Sequence, residues 1–241
     1  MSKKWIMEGG VEMQFYELTV TTLLQNDIGF TESGEKIANL ISSAMLLDNE
    51  LAAKHVQRGY KHYVFNNLYP IESDKVYKAG RVYIFKIRTL EESFINKIKI
   101  LLPTVVNRYF KILAIEYKVH RKRHISELYT ITPAVATVDN RHWMAGDDFL
   151  LLQERMQMNL EKKYKAFFGE ELKPNQSFIQ YIEIINDKPM LYRYKNTSLI
   201  ANKFRLHINE DEVSQKLAFV ALATGILEKN SSAGCGFCSA R

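Results

Sequence analysis

The chain has 241 residues, enough for one large domain or two small ones that each bury a core. Apolar residues make up 46% and charged residues 25%, with 11 Gly and 5 Pro, which excludes a disordered, collagenous or low-complexity chain. The formal charge of +6 is unevenly placed: residues 1–124 hold 19 basic and 13 acidic side chains and the remainder 14 of each, so a local basic surface points towards a polyanionic partner.

Residues 14–24 alternate, with Tyr16, Leu18 and Val20 on one face, and predict a strand. Ile37, Leu40, Ile41, Ala44 and Met45 follow the spacing of one helix face. A second short helix can start at Asp48 or Asn49 and stop at Gly59. Residues 61–70 and 81–89 read as strands, and Thr89-x-x-Glu92 as a capping box. That box opens a helix with Phe94, Ile98, Leu101, Leu102 and Val105 on one face, and a strand follows over 109–119.

After the basic run His120-Arg121-Lys122-Arg123-His124 the same order returns. Residues 128–138 predict a strand, and Asp147 opens a long helix with Phe149, Leu152, Met156, Leu160 and Phe167 inward, closed at Gly169. Residues 177–185 and 190–195 read as a hairpin around Asn186-Asp187-Lys188-Pro189, with further strand at 199–208. Asn209-x-x-Glu212 then caps a helix carrying Val213, Leu217, Val220 and Ala221 that ends at Gly225, and a short strand spans about 235–240. Two successive β-α-β-β-α-β units predict an α+β fold of tandem ferredoxin-like, RRM-like domains at 13–120 and 125–241. That topology serves enzymes, metal carriers and RNA binders alike.

Residues 1–12 read as a dispensable leader with Met13 as the native start, since a Glu-Gly-Gly run is encoded by the purine-rich codons of a ribosome-binding site. No stretch resembles an export signal or approaches the roughly 18 apolar residues of a membrane span. Cys235 and Cys238 build no disulfide framework and read as small apolar residues of a terminal strand, so a cytoplasmic protein without a membrane partner is expected. The histidines show no metal-ligand spacing, and neither a metal nor a cofactor is expected.

Glycine usage is the sharpest local signal: three of the 11 glycines fall in GILEKNSSAGCGFC, 225–238. Gly234 and Gly236 would let a backbone approach a phosphate, with Lys229, Asn230, Ser231 and Ser232 as donors. It is not a Walker loop, because the Gly-Lys-[Ser/Thr] ending is missing and a helix precedes it. A plain helix-to-strand connection and a phosphometabolite-binding loop are the other readings.

The same stretch resembles the C-terminal glycine-rich signature of the CRISPR-associated repeat-processing endoribonucleases of the RAMP superfamily. The match lies in Glu228-Lys229-Asn230-Ser231 and Gly234-Cys235-Gly236, with Leu227 in place of a glycine and a loop one residue longer. TITPAVATV (130–138) resembles the strand that opens that family's second domain, and GYKHYVFNNLYP (59–70) the segment after its catalytic helix. The resemblance covers most of the chain from Met13.

It implies a metal-independent endoribonuclease that cuts CRISPR precursor RNA within repeats, through attack of the 2′-OH, leaving 5′-hydroxyl and 2′,3′-cyclic phosphate ends. The implied catalytic histidine falls on His55, with Lys61 as charge stabiliser. A tyrosine of some members would fall near Ser42, leaving Tyr60 or Tyr63 as substitutes. The chemistry agrees: histidine suits either proton role near neutral pH, and lysine stabilises a developing anion. His55 stands near Lys54 and Arg58, cations that attract phosphate, while His62 is its main competitor.

A second basic group, Lys188, Arg193, Lys195, Lys203 and Arg205, is interleaved with Tyr192, Tyr194 and Phe204 and reads as an RNA-holding hairpin. CRISPR repeat RNA is the implied partner, with other effector subunits left open and either a monomer or a homodimer allowed. A binding-only member of the same superfamily would keep the glycine-rich loop and basic hairpin without cleavage.

Overall fold

The computed structural model describes residues 13–138, 141–195 and 197–241. The expectation about a start at Met13 concerns residues 1–12, which lie outside the described residues. The first half runs β1 (Gln14–Leu24), β2 (Ile28–Gly29), α1 (Phe30–Met45), α2 (Asn49–Val56), β3 (Tyr63–Phe65), β4 (Val76–Tyr77), β5 (Val82–Thr89), α3 (Glu92–Leu101) and β6 (Phe110–Arg121). The second half opens with β7 (Glu127–Thr130), β8 (Thr137–Val138), β9 (Arg141–His142), α4 (Phe149–Phe168) and β10 (Ile179–Ile184). It continues with β11 (Met190–Tyr194), β12 (Thr197–Ala201), β13 (Phe204–Ile208), α5 (Glu212–Thr224), α6 (Asn230–Ala233) and β14 (Cys238–Ala240).

Two four-stranded sheets organise the molecule, in the orders β3-β5-β1-β6 and β10-β13-β7-β14. All their pairings are antiparallel. Within each half the four ladder strands lie in the order second, third, first, fourth, which is the β-α-β-β-α-β arrangement predicted from element order. The helices cover the sheets through the stripes visible in sequence. Ile37, Leu40, Ile41 and Ile98 pack with Leu18, Val20 and Phe85 in one core, and Leu152, Met156, Leu160 and Leu217 with Leu128 and Leu206 in the other. Each such side chain contributes roughly 1.5–3 kcal/mol on burial.

Three strand expectations are corrected. The stretch 128–138 is two strands, because Pro133 has no N–H and the chain detours there, its carbonyl accepting from Gly236 N at 2.9 Å. The stretch 199–208 is also two strands, broken at Asn202, whose backbone bridges to Ala134 in both directions at 2.8 and 3.1 Å. The predicted hairpin of 177–185 with 190–195 does not form: β10 pairs with β13, and β11 pairs with β12 as a separate ribbon. The Asn186 side chain clamps the base of that inserted ribbon, donating to the Lys188 carbonyl at 2.9 Å and accepting from Lys203 N at 2.5 Å.

The ribbon reaches across to the first half. The Tyr192 hydroxyl accepts a hydrogen bond from the Asn67 amide, and Arg193 pairs with Glu32 of α1 at 2.9 Å. Elsewhere Arg88, on β5, ties the halves together. It donates to Glu17 at 2.5 Å and to the Cys238 carbonyl at 2.7 Å, and lies over the Phe237 ring at 4.3 Å. Burial raises the Glu17 pKa, but His120, Arg88 and Lys86 outweigh it and hold the carboxyl far below the usual range.

Candidate functional site

Helix α2 is short and mostly exposed. Asp48 caps its start, accepting from Leu51 N at 3.0 Å, and Leu51 is its buried residue. The helix ends at Val56, three residues before the glycine expected to stop it. Its end is closed by Lys61, whose ammonium donates to the carbonyls of Lys54 and Gln57. His55 therefore stands in the last turn, half-buried, while burial and the neighbouring Lys54 lower the Lys61 pKa.

The glycine-rich segment is not an open loop. It contains the one-turn helix α6, and Asn230 faces inward: its amide donates to the carbonyls of Ile226 and Cys235 at 2.9 and 2.8 Å. Its oxygen accepts from Lys163 at 2.8 Å. Gly234 and Gly236 both have φ near +71°, and a methyl group there would stand 2.6 Å from the Phe65 ring and 2.2 Å from the Ile226 carbonyl. Glycine is required by protein packing at both positions. Lys229, Ser231 and Ser232 remain half-exposed, and Lys229 lies over the Tyr194 ring at 5.1 Å.

Two clefts share a wall made of Lys61, Tyr63, Ser231 and Ser232. One, of about 360 Å³, is also lined by His55, Ser42, Glu35, Tyr194 and Lys195. The other, of about 420 Å³, adds Tyr60, His62, Asn159, Lys163, Glu228 and Lys229. The tyrosines beside His55 are thus Tyr63 and Tyr194; Tyr60 lines the neighbouring cleft instead. The Tyr63 hydroxyl donates to the Ser231 carbonyl at 3.1 Å, and full burial pushes its pKa up.

Of the residues singled out in the sequence, His55, Lys61, Lys195, Ser231 and Ser232 come together, with Lys229 and Asn230 in the adjoining cleft. Others are dispersed. Lys54 pairs with Glu91 over the Phe94 ring, and Arg205 pairs with Glu183 and Glu127 on the second sheet. Arg193 is held by Glu32, Lys203 is half-buried with its pKa lowered by burial and by Lys75, and Arg58 and Lys188 are exposed and line neither cleft. The five cations of 188–205 therefore do not form one face, since the ribbon and β13 diverge at Asn202.

Lys163 is the functional-site residue that sequence reading passed over. It is 3% exposed, and its amine donates to the Gly225 carbonyl at 2.7 Å as well as to Asn230. Burial pushes its pKa down to about 7. Its signal was present, because Lys163 continues the stripe Leu152, Met156, Leu160 at helical spacing. Both cysteines are buried, and burial raises each thiol to about 12.

No protein-family model matches the chain, and no curated protein matches it. Solved structures do. A structure described as a RAMP protein binding different RNA substrates superposes with a TM-score of 0.72 at 17% identity, over 94% of this chain and 99% of the other. A CRISPR-associated protein Cas6 gives 0.68 at 18% identity, over 94% and 99%. A Cas6-related protein from Pyrococcus furiosus gives 0.67 at 15%, over 96% and 99%. The chain shares the fold of these structures. The tandem ferredoxin-like architecture predicted from element order is borne out, and the match extends over nearly the whole chain. No helix among the described residues is long and apolar enough to cross a membrane.

Proposed function

We propose that this chain is an endoribonuclease that cuts CRISPR precursor RNA within its repeats, using two ferredoxin-like domains at 13–120 and 125–241. The observation that carries the reading is the convergence of His55, Lys61, Lys195, Ser231 and Ser232 on one cleft of a Cas6-type fold. RNA lies across the cleft, its phosphates drawn to Lys61, Lys195 and Lys229.

The reaction draws on the chain's own side chains and solvent water. The ribose 2′-oxygen attacks the adjacent phosphorus in line as its proton is removed, and the P–O5′ bond breaks as the departing oxygen is protonated. The products are a 2′,3′-cyclic phosphate and a 5′-hydroxyl. His55 serves as the general acid or base, solvent water makes the other proton transfer, and the flanking lysines stabilise the extra charge of the phosphorane.

Incubation with a cognate repeat in EDTA tests this. Cleavage at one position, blocked by a single 2′-deoxy substitution there, is expected; cleavage that requires added metal would contradict it. A binding-only role has two points in its favour: the Lys61 ammonium is engaged by two backbone carbonyls, and by the resemblance the tyrosine of some family members would fall near Ser42. Tight, salt-sensitive binding of the repeat without product supports that second reading.

A further inference from the structure

The larger cleft, which shares its Lys61–Tyr63 and Ser231–Ser232 wall with that of His55, has no part in the proton transfers above. We propose that it receives an unpaired nucleobase of the bound RNA, held by His62 and Asn159, with the attached phosphate at Lys229. The inference rests on the RNA-processing reading and names a subsite for it.

Two buried polar atoms point to a missing ligand. His62 Nδ1 and Asn159 Oδ1 have no hydrogen-bond partner, and both residues line this cleft. A buried polar atom left unpaired costs about 1–3 kcal/mol, so each has a demand that a bound molecule can meet. Two charged neighbours on the same lining are already occupied. Lys163 donates to the Gly225 carbonyl and Asn230, and Glu228 accepts from the Thr137 N–H and hydroxyl at 3.1 and 2.9 Å.

The buried functions left open are an imidazole and a carboxamide, which match the donor and acceptor edge of a heterocyclic base. Charge separates the base from its phosphate. Burial, with Lys54 and Lys163 nearby, lowers the His62 pKa to about 4, so its ring is neutral at pH 7. The depth is therefore polar without free cationic charge, and an anion finds its partner at Lys229. Tyr60 lines the same cleft and offers it an aromatic ring, while Phe167 packs edge-on against the His62 ring at 5.4 Å and holds it in place. A volume of about 420 Å³ lies within the usual range for small-molecule sites.

The test uses the full chain and repeat RNAs in which single nucleotides near the cut are replaced, one at a time, by abasic ribose. One abasic position is expected to weaken binding by wild type about tenfold, the lower end of base-contact losses. Asn159→Leu and His62→Asn should each weaken binding of intact RNA by a similar factor and leave that abasic RNA no weaker still. Asparagine is chosen at His62 because the residue has φ +54°, which asparagine tolerates; this variant decides if Asn159→Leu fails to fold. Wild-type binding of intact RNA by folded variants overturns the subsite while leaving RNA processing in place. Failure of wild type to bind any repeat RNA overturns the processing reading and the subsite with it.

Discussion

Helix α2 and the segment 225–238 contribute walls to the same cleft but are anchored in opposite ways. Of the eight residues of α2 only Leu51 is buried, whereas from Gly225 to Cys238 only Glu228, Lys229, Ser231 and Ser232 escape full burial. The proton-transfer candidate sits on a lightly packed helix end. Facing it is a rigid bracket in which Lys163 and Asn230 satisfy the turn's carbonyls from inside. The difference teaches that the glycine-rich signature has two faces: an inner one that holds the protein together and an outer one, Lys229 with Ser231 and Ser232, that is available to a ligand.

The strongest way to break this comparison is to overfill the bracket. Gly236→Ala places a methyl 2.2 Å from the Ile226 carbonyl at φ +71°, and a loss of about 3 kcal/mol is expected in urea unfolding. Gly59→Ala, just beyond α2, meets no atom within 4 Å and should cost only about 1 kcal/mol for its φ of +127°. Equal losses at the two sites would remove the contrast.

A second effect probes the bracket by pH. The Lys163 amine, held at about 7 by burial, has an ordinary value near 10.4 in the unfolded chain. Between those limits the unfolded state binds more protons, so wild-type stability rises from about pH 7 to about pH 10 and is lowest below 7. In Lys163→Met this rise should flatten, as unfolding measured across that range will show.

The smallest effects concern the outer face. Lys195→Ala and Lys229→Ala should each reduce the salt dependence of RNA binding by about 0.7 in log–log slope, the value of one released counterion on a single strand. Lys54→Ala should leave the slope unchanged, because its ammonium is engaged by Glu91.

Much of this architecture was legible in the sequence, because helix stripes and strand alternation are local signals. Leu152, Met156 and Leu160 declare α4, and Tyr16, Leu18 and Val20 declare β1. The ribbon of β11 and β12 was misassigned because strand pairing is non-local: residues 190–195 look equally ready to pair with 179–184. Only the clamp at Asn186, with the contacts of Tyr192 and Arg193 to the first half, decides it. Within the site, family resemblance singled out His55 and Lys61, but the cleft they share with Lys195, Ser231 and Ser232 joins elements far apart in sequence. The inward role of Asn230, Gly234 and Gly236 was not legible, since a Gly- and Ser-rich stretch has the same composition whether it meets a phosphate or another backbone.

Single-turnover cleavage of a cognate repeat by His55→Ala tests the central claim most directly. The account predicts a rate reduced at least about 10²-fold, with melting temperature and RNA affinity close to wild type, as the exposed setting of α2 requires. A His55→Ala protein that cleaves at the wild-type rate would contradict it.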